Sequence, residues 1–117
     1  MSYDLCFWKQ KEKAKLIPGE LCNLLRSGAT NQETLPLPIE EIINKLQDFF
    51  PGMLQEESSW CWDSDGDSGS FVLNTTSRYL EFSCYNLDTD KANDIIDALF
   101  EFGCALYDPQ IDKRFED

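Results

Sequence analysis

The sequence contains no histidine. Ser-His-Asp triads, Cys-His nucleophile pairs and the usual zinc sites all depend on that residue, so an enzyme built on this chain is left with carboxylate, thiol, lysine or tyrosine chemistry. Long apolar runs are missing too: none approaches the roughly 18 residues of a membrane-spanning helix. The five cysteines, Cys6, Cys22, Cys61, Cys84 and Cys104, are odd in number and include no CxxC pair. The opening "MSYDLCFWKQ" lacks the basic start and apolar stretch of a secretory signal. These absences set the expectation of a reducing cytosol, with thiols acting as small core residues. Basic residues are scarce, 10 against 22 acidic ones, and the net charge is -12. Such a chain repels phosphate backbones and anionic membranes, whereas a basic protein is steered toward it. Neither nucleic acid nor membrane is an expected partner, and no cofactor or metal is expected.

At 117 residues the chain reads as one domain, residues 1–117, able to bury roughly two-thirds of its unfolded surface without a disulfide or metal. Its periodicity gives a sequence of elements. "SYDLCFWK" alternates Tyr3, Leu5 and Phe7 against Asp4, Cys6 and Trp8, as a strand does. "PGELCNLLRSG" and "IEEIINKLQDFFPG" carry leucines and isoleucines at helical spacing and end in glycine. From Trp60 the period returns to two: "SWCWD", "SFVLN" and "RYLEFSCYN" read as a three-strand meander. "LDTDKANDIIDALFEFG" is a helix with an Asp or Thr cap, "CALYD" a last strand, and "QIDKRFED" either a short pairing or a loose tail. The order β-α-α-β-β-β-α-β implies an α+β fold, a largely antiparallel sheet of about five strands with helices packed on one face.

The stretch "WCWDSDGDSGSFVL" sets Asp63, Asp65 and Asp67 at alternate positions. Counted as a calcium loop from Asp63, it has oxygen ligands at the first, third and fifth places. It has Ser68 where the glycine belongs, Ser70 at the eighth place and Asn74 where a bidentate glutamate belongs. Strands on both sides turn it into a hairpin instead, made of the Asp, Ser and Gly that turns favour. A further reading is a recognition element: Glu56, Glu57, Asp63, Asp65 and Asp67 surround Trp60 and Trp62, and carboxylates beside aromatic anchors suit the lysines and arginines of a partner. Tyr79, Glu81 and Tyr85, on the strand face opposite Leu80 and Phe82, extend the candidate partner-binding set. No nucleophile motif or phosphate loop accompanies the carboxylates, so no catalytic residue is assigned and the chain is read as a non-enzyme.

The opening "MSYDLCFWK", the closing "ALYDPQIDKRF" and above all "YDPQ", Tyr107 to Gln110, resemble the acidic immunity proteins of polymorphic toxin systems such as contact-dependent growth inhibition. The resemblance covers the terminal strands and the α+β plan. It implies a cytosolic protein that binds a cognate toxin domain, often a basic nuclease, and covers or distorts its active site. Two alternatives stay open: an acidic interaction or regulatory module unrelated to toxins, and a small carboxylate or thiol enzyme.

Overall fold

Alternation in the first strand decides the architecture. The computed structural model describes residues 2–10, 17–29, 33–57, 59–64, 68–110 and 113–115. In it β1 (Ser2–Gln10) sends Leu5 and Phe7 to one face and Cys6 and Trp8 to the other, and all four are buried. A strand apolar on both faces needs a covering layer on each side. The layers come from α1 (Pro18–Arg26), α2 (Ile39–Phe49) and α3 (Thr89–Glu101). The remaining strands are β2 (Thr34–Leu35), β3 (Leu54–Glu56), β4 (Ser59–Asp63), β5 (Ser70–Thr76), β6 (Tyr79–Tyr85), β7 (Ala105–Asp108) and β8 (Lys113–Phe115). They form an antiparallel sheet in the order β3-β4-β5-β6-β1-β7-β8, with β2 pairing beside the end of β1.

The α+β class and the antiparallel sheet are those the sequence predicts. Two features differ. The sheet gains β2 and β3, of two and three residues, too short for an alternation to show in sequence and formed by pairing with a longer neighbour, while β8 is the short pairing that is one of the two readings of the tail. The helices also do not share one face. Helices α2 and α3 pack Ile42, Leu46, Ile95 and Leu99 on Leu5, Phe7, Leu73, Leu80 and Phe82, whereas α1 lies on the opposite face, setting Leu21, Cys22 and Leu25 against Cys6, Trp8, Tyr79 and Tyr107. An apolar stripe shows that a helix must be covered but not which sheet face covers it.

Aromatic rings lock the larger core. Phe71 meets Phe50 and Phe82 edge-on at centroid distances of 5.0 and 5.4 Å and stacks on Trp62 at 5.8 Å, each such pair contributing about 0.5–1.5 kcal/mol beyond the area it buries. Among the described residues no helix is long and apolar enough to cross a membrane.

The hairpin joining β4 to β5 is fixed at its base. Ser64 N donates to Gly69 O at 3.1 Å, and Asp88 N donates to Ser68 O at 3.0 Å. Asp88 precedes α3 at the N-cap position, but its side chain makes no capping hydrogen bond there. Gly69 has φ of +90°, and a Cβ on it would sit 2.3 Å from the Asn86 carbonyl oxygen. Gly69→Ala is therefore expected to destabilise the protein by about 2–3 kcal/mol, from left-handed strain together with a backbone clash, read from the urea midpoint.

Burial is the main cause that pushes the Cys84 and Cys104 thiols up to about 12. Asp4 adds to the rise at Cys84, and Lys9 opposes it at Cys104. With folded values above the ordinary 9.0, both thiols favour folding fully below pH 9.0, and that contribution is lost as pH climbs toward 12. The stability deficit of Cys84→Ala should accordingly shrink by about 1.4 kcal/mol per pH unit above 9, measured by urea unfolding at pH 8 and 10.

Candidate functional site

Helix α1 is short, and the residues it packs on belong to β1, β6 and β7. No other helix lies on that face among the described residues, so β3, β4 and β5 and the far end of β6 stay open there. Strand register assembles a surface from residues remote in sequence. The middle row runs Leu54, Cys61, Val72, Ser83, Asp4 across five strands. One flanking row holds Asp63, Ser70 and Tyr85, and the other holds Glu56, Ser59, Asn74 and Glu81. Paired residues on one sheet face stand about 5 Å apart, so these rows form a continuous surface.

Its chemistry mixes apolar and acidic groups. Leu54 is 66% exposed and Tyr85 48% exposed, and Val72 and Cys61 between them are half-buried. Asp4, Glu56, Asp63 and Glu81 stand among them. Apolar area interspersed with polar groups is what a protein–protein interface presents, and here the charged residues of the three rows are acidic. Glu81 is the most tightly held of these carboxylates. It pairs with Arg26 of α1, accepts from Tyr79 OH at 3.0 Å and accepts from the Cys6 thiol at 3.7 Å.

The predicted partner-binding residues fall into groups. Glu56, Asp63, Glu81 and Tyr85 come together on the open face. Glu57 lies in the turn between β3 and β4 with φ of 51°. Tyr79 shares the strand face of Glu81 but is only 2% exposed, buried beneath α1. Trp60 and Trp62 point to the opposite face: Trp62 is buried, meets Phe50 edge-on at 4.9 Å and has Lys91 Nζ 5.8 Å from its ring centre. Trp60 lines a cleft of about 550 Å³ between α2 and the sheet, with Ile39, Glu40, Ile43, Asn44, Gln47, Gln55 and Thr75. Asp65 and Asp67 lie outside the described residues, so the calcium-loop positions they occupy do too.

Asp4, Leu54, Cys61 and Val72 were not singled out in the sequence. The alternation of "SYDLCFWK" does place Asp4 opposite Leu5, but only register with β6 brings it beside Ser83 and into line with Val72. No protein-family model matches the chain, and no curated protein matches it.

The left-handed backbone at Glu57 is unfavourable for a residue with a Cβ. Glu57→Gly should raise the stability of the isolated protein by about 0.5–1 kcal/mol, read from the shift of the urea midpoint.

Proposed function

We propose that this chain is a cytosolic immunity protein that binds a cognate toxin domain, in the first place a basic nuclease, and neutralises it by stoichiometric association. The observation that carries the reading is the open half-face of the sheet, where Leu54, Val72 and Tyr85 supply apolar area among Asp4, Glu56, Asp63 and Glu81, on a chain of net charge -12. A nuclease must present positive potential to its phosphate substrate. An acidic surface of matching size competes for the same potential and is drawn in at a raised association rate.

Steering and holding would use different parts of the face. Long-range attraction sums over the whole charge and decays within about 8–10 Å at physiological salt. The lifetime of the complex depends on what is desolvated in the contact, where the Tyr85 ring and the Leu54 side chain supply apolar area and the flanking carboxylates accept charge-assisted hydrogen bonds from arginine. In this reading the protein supplies no reacting group, and one inhibitor covers one toxin domain.

The test is co-expression with the C-terminal domain encoded by the reading frame immediately upstream, scored for growth rescue and for a stable co-purified complex. A toxic upstream domain that is neither rescued nor retained would sink the reading. Given a complex, the combined Asp4→Asn, Glu56→Gln and Asp63→Asn variant should associate about tenfold more slowly at low salt, with the difference fading as salt rises. Val72→Arg, placed in the apolar area, should chiefly raise the dissociation rate. Both rates are read by stopped-flow or surface plasmon resonance.

A further inference from the structure

Under α1 lies a cluster of polar groups that meets the binding face at Glu81 and otherwise lies apart from it. Cys6 of β1 and Cys22 of α1 are both buried among apolar residues, yet each thiol is tied to the same small network. Cys6 donates to Glu81 Oε1 at 3.7 Å, Cys22 Sγ lies 3.3 Å from Tyr79 OH, Tyr79 OH donates to Glu81 Oε1 at 3.0 Å, and Arg26 Nη2 donates to Cys22 Sγ at 3.8 Å. Both sulfurs therefore sit on one network, joined through Glu81 and Tyr79. Buried cysteines that serve only as small apolar residues are inert; a reactive one has a cation and hydrogen-bond donors turned toward its sulfur.

We propose that Cys6 and Cys22 are a peroxide-responsive thiol pair, with Cys22 the attacking sulfur and Cys6 the resolving one, and that oxidation joins β1 to α1 through a disulfide. The Cys22 thiolate attacks one oxygen of hydrogen peroxide. The O–O bond breaks and hydroxide leaves, so Cys22 becomes a sulfenic acid. The Cys6 sulfur then attacks the Cys22 sulfur; the S–O bond breaks, and the departing oxygen leaves as water with the Cys6 proton. The two sulfurs give up two electrons and the peroxide is reduced to water, hydroxide taking up the proton that Cys22 had already shed.

Electrostatics sets the order of the two sulfurs. The Cys22 thiol is lowered to about 6, first by the neighbouring Cys6 thiol and then through the Tyr79 hydroxyl and the Arg26 charge, against burial and the Glu81 carboxylate. Cys6 is raised by the neighbouring Cys22 sulfur, by its burial and by the nearby Glu81 charge. Cys22 is thus the more acidic of the two thiols, and Cys6 the one that holds its proton more firmly. Both thiols lie under α1, a nine-residue helix, so in this proposal peroxide reaches them by local opening of that helix. The Arg26 guanidinium reaches Cys22 from a side chain that is 45% exposed.

The experiment treats the folded protein with hydrogen peroxide, alkylates the remaining thiols and maps the peptides by mass spectrometry, with Cys61→Ser as the background because Cys61 is the partly exposed thiol. The expected product is a Cys6–Cys22 cross-linked peptide, reversed by dithiothreitol. Its rate of formation should follow a midpoint near pH 6 and exceed the oxidation of Cys84 and Cys104 at least tenfold at pH 7. Arg26→Gln should move the midpoint upward. Cys6→Ala, which removes both the resolving thiol and the first cause of the lowered Cys22 value, should leave a Cys22 sulfenic acid that dimedone traps, formed more slowly and with its midpoint moved upward. Cys6 and Cys22 both recovered as alkylated thiols in the wild-type fold, or a rate that rises only toward the ordinary thiol range near pH 9, would overturn the assignment.

Discussion

The fold depends on one strand being apolar on both sides. Strand β1 hydrogen-bonds to β6 and β7 and, near its end, to β2, and its alternate side chains are buried in opposite directions, Leu5 and Phe7 into the larger core and Cys6 and Trp8 into the smaller. Slipping its register by one residue would exchange the two sets and leave Trp8 facing α2 and α3. Trp8 fits its own side because Tyr79 stacks on it at 6.5 Å and Tyr107 meets it at 5.7 Å. The three rings come from three neighbouring strands, so the pairing order β6-β1-β7 and the placement of α1 are one constraint.

From that constraint follows the asymmetry on which the binding face depends. Among the described residues, two helices cover one side of the sheet and one short helix covers part of the other. The strands change composition where the helix cover ends: β5 turns Phe71 and Leu73 inward and Ser70, Val72 and Asn74 outward, and β6 turns Phe82 and Cys84 inward and Ser83 and Tyr85 outward. A half-open sheet built this way alternates as antiparallel sheets with one solvated face do. The apolar residues at Leu54, Val72 and Tyr85 interrupt that polar surface.

The helices were legible because each carries its own signal. "IEEIINKLQDFFPG" and "LDTDKANDIIDALFEFG" fold as α2 (Ile39–Phe49) and α3 (Thr89–Glu101), close to where spacing and terminators put them. Strand faces were legible in β6, where Tyr79, Glu81 and Tyr85 do share a side. Their burial was not: Tyr79 is covered by α1 and Tyr85 is open, and the position of α1 is set by packing on β1, β6 and β7 together, two of them distant from it in sequence. The tryptophans show the same limit. Alternation places Trp60 and Trp62 together, but only pairing with Phe71 and Leu73 turns that side toward the core. The acidic face is likewise a product of register, drawing Asp4, Glu56 and Asp63 from three strands into one surface.

Glu81 stands at the border between the covered and open halves, and its surroundings bear on what its charge can do. Its carboxylate is met by Arg26 and bonded to Tyr79 and Cys6, so much of its field is spent within the protein and its geometry is fixed before any partner arrives. A carboxylate held in this way adds little to long-range attraction but costs little to order at an interface, because its rotamer freedom is already lost. The exposed carboxylates of Glu56 and Asp63 have the opposite character. A division between a fixed acidic anchor beside α1 and a more exposed acidic rim toward β3 and β4 follows from how far α1 extends over the sheet, which is in turn set by the Trp8, Tyr79 and Tyr107 cluster beneath it.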